Sequence, residues 1–189
     1  MTQPVTEDVV PRRSVAFVAL LVGAGVAVVL GVLGRAHDPS YESLPALGFS
    51  SAGTFKSWTT SLVAVLALGQ LVSALWLYGR LPGVGRAPSW LGTAHRVSGS
   101  LAFLLSLPVA FYCLYGFGFA RLPWSLHTLA HSLAGCAFYG AFAAKVIFVH
   151  SKRTPGWGLP VAGGLMFTAV VLLWFTGAWW FFGIEGVHT

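Results

Sequence analysis

The residues able to do chemistry are His95, Arg96, His127, His131, Lys145 and His150, set in stretches that are otherwise apolar. Ionisable groups in such surroundings are costly and mark functional sites by default. Four of the six histidines fall on two neighbouring segments, 97–119 with its approach 90–96, and 126–150. Imidazoles on adjacent helices can take the two axial positions of a b-type haem. His95 and His150 suit that role, with Arg96 and Lys145 placed to pair with propionates. His127 and His131 are four residues apart on one helix face, a spacing that lets two imidazoles bind one ion. A third ligand would come from His37 or His188. His131 is alternatively placed for a haem or a quinone. No Glu stands in an HExxH arrangement, so a zinc hydrolase is excluded, and no residue is marked as catalytic.

Each group also has a plainer role. His95 and His150, near span ends, can be interfacial side chains with wet tips. His131 can hydrogen-bond between helices, and Lys145 can snorkel to the headgroups. His127 lies at the membrane rim. Cys113 and Cys136 have no second cysteine nearby, which excludes CxxC sites, covalent haem attachment and a disulfide framework. They read as small thiols packed between helices.

The elements that must hold these residues are membrane spans. Apolar residues form 56% of the 189 and charged ones 8%, too few charges to cover a soluble domain, where about a quarter is usual. The net charge of +6 is scattered between apolar blocks with no basic stripe, which excludes nucleic-acid binding. The expected class is all-α, a transmembrane bundle of five spans at about 14–33, 58–78, 91–119, 126–150 and 159–182. Each is long enough to cross roughly 30 Å of hydrocarbon. A cleaved signal peptide would leave four spans, but the first apolar run exceeds the usual 7–15 residues. Residues 1–13 read as a polar tail and 183–189 as another. Gly23, Ala27 and Gly31 form a stripe on which another helix can approach closely, and an oligomer is compatible with it. Gln70 should bond a neighbouring helix, and Pro108 should bend the third span. The 35–57 connection reads as a loop on the membrane surface, with Phe49, Phe55 and Trp58 at headgroup depth.

Five spans put the termini on opposite sides. Arg12, Arg13, Arg80, Arg86, Arg96, Lys145, Lys152 and Arg153 lie on the amino-terminal side, against Arg35, Lys56 and Arg121 on the other. The bias makes the amino terminus cytoplasmic and the carboxyl terminus external. In a hairpin of spans three and four turning near Arg121, His95 is level with about Ile147. His150 is then offset from it by roughly 4–5 Å. His131 lies about 24 Å from His95 in depth, too far to share one iron.

The segment Thr93-Ala94-His95-Arg96-Val97-Ser98-Gly99 resembles the HRxxG-type entry of membrane cytochromes of the b561 and ferric-reductase kind. It is also similar to the quinone-site helix of the succinate dehydrogenase membrane anchor. His131-Ser132-Leu133-Ala134-Gly135 is similar to the HxxxG pattern of such bundles. More broadly, Lys56-Ser57-Trp58, Tyr78-Gly79-Arg80-Leu81-Pro82 and Pro155-Gly156-Trp157 resemble an uncharacterised family of small multi-pass membrane proteins from actinobacteria. These resemblances imply a bacterial plasma membrane and a haem-b electron-transfer subunit linking quinol or a cytoplasmic donor to a partner protein. Spans one, two and five carry no histidine, unlike the four-histidine cytochromes, so a second haem lacks ligands. The competing expectation is a non-catalytic membrane subunit that docks a redox or envelope partner through the 35–57 loop. A transition-metal carrier using His127, His131 and His37 is a third.

Overall fold

Five apolar segments become five long helices, and no strand forms among the described residues. The computed structural model describes residues 12–41, 44–121, 123 and 125–187. The helices are α1 (Arg12–Ala36), α2 (Ala52–Leu77), α3 (Leu91–Phe111), α4 (Leu126–His150) and α5 (Gly158–Leu173). α3 runs on into a π-helical turn, π1 (Tyr112–Phe117). α5 runs on through π2 (Trp174–Trp179) into α6 (Trp180–Glu185). Each of the five is long and apolar enough to cross a membrane, and large apolar side chains such as Phe17, Leu20, Leu104 and Leu165 face outward. This is a multi-pass helical membrane protein. The expected tail 1–13 lies almost wholly outside the described residues, as do Trp124 and His188.

The connection after α1 is shorter than expected. Ser51 closes it by accepting a hydrogen bond from the Thr54 amide at 3.1 Å, a side-chain N-cap that starts α2 at Ala52 instead of Trp58. The remaining segment covers one end of the bundle, here called the capped end. The Ser40 amide donates to the Tyr115 carbonyl at 2.9 Å, and the Tyr112 hydroxyl donates to the Pro45 carbonyl. Arg121 binds Asp38 at 2.8 Å and the His37 carbonyl at 2.6 Å. Phe49 and Phe55 pack edge to face, and Phe55 continues onto Tyr112. The opposite, turn end carries the short connections 78–90 and 151–157.

Packing does not follow chain order. α1 lies along α4, α4 along α5, and α2 along α3, with α2 also touching α5 and π2. The small-residue stripe explains the first pair. A Cβ on Gly23 would sit 2.7 Å from the Gly140 carbonyl oxygen, and one on Gly140 would meet Gly23 oxygen at 2.6 Å. Only glycine at both places lets the two backbones touch. Ala19, Ala144, Phe148 and Ala162 form the core beside this contact, and Val63, Phe138, Ala169 and Val170 form a second core toward α2. α3 and α4 face each other through long side chains: Phe103 stacks on Phe142 at 3.7 Å, and Ser106 meets Tyr139 at 2.9 Å. Pro108 lies inside α3, whose ladder continues to Phe111 before widening into π1.

Candidate functional site

His95 is held in the second turn of α3 by α2. Gln70 donates through Nε2 to the His95 carbonyl at 2.8 Å and to Ser98 Oγ at 2.7 Å. Gly99 makes room, because a Cβ there would meet Gln70 Oε1 at 2.8 Å. The imidazole is oriented by Ser73, whose Oγ lies 2.7 Å from His95 Nδ1. That hydroxyl has one proton, and it points back to the Gly69 carbonyl at 2.7 Å. With its proton on that carbonyl, Ser73 would accept from Nδ1–H and leave His95 Nε2 as a lone pair. This is the arrangement by which outer groups orient metal-binding histidines.

His150 has the same tautomer for a simpler reason. Its Nδ1 lies 2.9 Å from the carbonyl of Val146, one turn back, and a carbonyl can only accept. Its ring is exposed at the turn end, with Nε2 free of partners among the described residues. The stacked pair Phe103–Phe142 sets the register of the two helices. Eight residues back along α3 is His95, and eight forward along α4 is His150. The two histidines are thus level, closer in depth than the sequence suggested. No hydrogen bond or ring contact joins them, and α3 and α4 are not packed backbone to backbone. Two imidazoles at one level, each with Nδ1 engaged, are donors of the kind that could hold a haem iron. Lys145 is within electrostatic reach of His95, and Arg96 is exposed beside it, holding only Thr93 Oγ1 at 3.2 Å.

His131 lies nearer the capped end, and both of its partners come from π-helical turns. Its Nδ1 is 3.0 Å from Thr176 Oγ1 of π2, and Thr176 spends its proton on the Leu172 carbonyl at 2.5 Å. Nδ1–H is again the donor, and Nε2 faces Cys113 Sγ of π1 at 3.7 Å. A Cβ on Gly177 would sit 2.9 Å from His131 Cε1, so glycine admits the ring. Cys113 and His131 line a cavity of about 110 Å³ bordered by residues from all five long helices and π1. Single π turns inside helices recur at functional sites, and here two of them build one.

A family model matches residues 15–189. The chain belongs to the DUF6529 family, a family of unknown function. No match occurs among curated proteins or among solved structures. In this DUF6529 chain the remaining sequence candidates are dispersed. His127 lies against Trp180, with ring centroids 4.6 Å apart and a buried Nε2 without a hydrogen-bond partner. His37 sits edge-on to Tyr115 at 4.6 Å. Among the described residues no three metal-ligating side chains converge, and His188 lies outside them.

Ser73, Cys113 and Thr176 are the partners that sequence reading missed. Ser73 and Thr176 are isolated hydroxyls in apolar helices, and that isolation was the only signal for them. Cys113 was legible as a thiol two residues from the expected level of His131, yet nothing in the sequence showed the π turn that aims it.

Proposed function

We propose that this DUF6529 protein is a haem-b electron-transfer subunit of a bacterial plasma membrane, with its amino terminus cytoplasmic. His95 and His150 would hold its iron. The observation that supports this reading is the pair of bare Nε2 atoms on level residues of facing helices, each fixed by a hydrogen bond at Nδ1. Bound there, the haem supplies one-electron chemistry. The protein's own part is to fix the imidazole orientation through Ser73 and the Val146 carbonyl. Arg96 and Lys145 offer positive charge to the propionates. The basic bias toward the turn end supports the orientation. Quinol or a cytoplasmic protein is the proposed donor, and a second membrane or external protein the acceptor.

The test is a pyridine haemochrome assay on protein purified after haem-replete expression. A reduced-minus-oxidised b-type spectrum is expected, and its absence would falsify the reading. Ser73→Ala should weaken haem retention about 10–100-fold, the usual cost of removing an outer partner of a ligating histidine. That loss is read by haem transfer to apomyoglobin, and Ser73→Thr should restore the wild-type rate. Transfer at the wild-type rate from Ser73→Ala would remove Ser73 from the site.

A second reading is a subunit that docks a redox or envelope partner through the loop between α1 and α2. Leu47 favours it, being a non-glycine residue held at φ 50° and 58% exposed. Such backbone strain clusters at recognition sites. Copurification of a partner that survives His95→Ala and His131→Ala but not Leu47→Asp would select this reading.

A further inference from the structure

The cavity beside His131 has a use that the proposed haem site does not absorb. Its wall is mostly aliphatic and aromatic, and the hydroxyls facing it are already engaged with backbone groups. Thr60 donates to the Lys56 carbonyl at 2.7 Å and Ser106 to the Phe103 carbonyl at 2.7 Å. Tyr139 donates to the Ser106 carbonyl at 2.9 Å. Ser132 accepts from the Ala120 amide at 3.1 Å. His131 Nε2 is different. It is a strong acceptor whose only partner among the described residues is the thiol of Cys113 at 3.7 Å, and a thiol is a weak donor. A buried acceptor so poorly matched is best satisfied by a hydroxyl.

Size and access narrow the class. A dry apolar cavity of roughly 150 Å³ takes benzene, so about 110 Å³ admits one ring at most, with Leu30 and Leu114 at its wall yielding slightly. That volume matches a single ring better than a fused bicyclic head or a porphyrin. The cavity wall is formed partly by α1 and π1, and α1 packs against π1 without following the straight part of α3. Beside Leu30, α1 exposes Val28, Val29, Val32 and Leu33, so a ligand reaching the cavity past this helix comes from lipid. An apolar lining also selects the neutral species over a phenolate.

We infer that this cavity binds the single ring of a neutral, membrane-soluble phenol, whose hydroxyl donates to His131 Nε2 in place of the Cys113 thiol. Thr176 is the positioning residue that keeps Nε2 bare, and Gly177 leaves room for the imidazole. This holds whether or not a haem is present at the turn end.

The experiment uses the full chain in lipid nanodiscs and follows 4-fluorophenol by 19F NMR, with empty nanodiscs as the partition baseline. Saturable binding is expected. Fluorobenzene, which lacks the hydroxyl, should bind at least tenfold more weakly. Phenol should compete, and 2-naphthol should not. His131→Phe should lower affinity for 4-fluorophenol tenfold or more. Gly135→Leu offers a variant that leaves His131 in place. A Cβ at Gly135 has its nearest neighbour, Leu173 Cδ2, at 3.9 Å, so a side chain there grows into free space along the cavity wall. It should abolish saturable binding while haemochrome content stays that of the wild type. Signals that match empty nanodiscs, or equal binding in wild type, His131→Phe and Gly135→Leu, would overturn the inference. Loss of haem with phenol binding intact would count against the haem site alone.

Discussion

His95→Ala and His150→Ala should each lower haem content by more than about tenfold, because even an outer partner of a ligating histidine is worth 10–100-fold. His131→Ala should leave it unchanged. The contrast follows from position. His95 and His150 stand level on α3 and α4, whereas His131 is engaged by Cys113 and Thr176 nearer the other end. Haemochrome per chain, measured on monodisperse helical protein, reads the result. A His95→Gly variant supplied with free imidazole should regain the b-type spectrum, since the Ser73 hydroxyl can hold the added ring as it holds the native one. Full haem in His95→Ala, or equal loss from all three variants, would refute the assignment of ligands.

The physical origin of the site explains what could be read early. The spans were legible because 56% apolar and 8% charged residues leave only a lipid-facing solution, and each apolar run is bounded by Arg, Gly or Pro. The level of His95 was legible to within one helical turn. The hairpin arithmetic assumed a symmetric turn near Arg121, whereas the stacked Phe103–Phe142 pair shifts α4 by three residues and brings His150 to the level of His95. Gln70 was legible as an inter-helix donor, since an amide in hydrocarbon must find a partner, and it bonds to α3 as expected.

The surroundings of His131 were not legible, because helical periodicity assumes 3.6 residues per turn. π1 and π2 break that phase at Tyr112 and Trp174, and so turn Cys113 and Thr176 toward the same imidazole. The short 118–125 connection suggested that α3 and α4 pack as a tight hairpin. Instead α4 pairs with α1, where glycines on both helices permit a closer approach than Phe103 and Phe142 allow between α3 and α4.

That α1–α4 seam is also where a single substitution should cost most stability. At Gly140 a new Cβ would lie 2.6 Å from the Gly23 carbonyl oxygen and 3.2 Å from the Ala27 Cβ. The first neighbour is backbone and cannot rotate away, so the helices must part. Gly→Ala in a helix gains up to about 1 kcal/mol in propensity, against roughly 1–3 kcal/mol for overpacking, so Gly140→Ala should be mildly destabilising. Gly140→Leu adds three more carbons to the same gap with little further propensity gain, and should cost about 3 kcal/mol or more. For a chain of this size each kcal/mol moves the midpoint by roughly 2–4 °C, so a fall of about 6–12 °C is expected. Gly25→Ala is the control on the partner helix α1, with nothing within 4 Å of its added Cβ. It should melt at or slightly above the wild-type temperature. Thermal unfolding in detergent, followed by tryptophan fluorescence, measures all three. Because α4 carries both His131 and His150, separating it from α1 should also impair both sites at once, whereas His95→Ala or Gly135→Leu affects one. A Gly140→Leu protein with wild-type melting would mean that the close approach of α1 and α4 is not what holds the bundle.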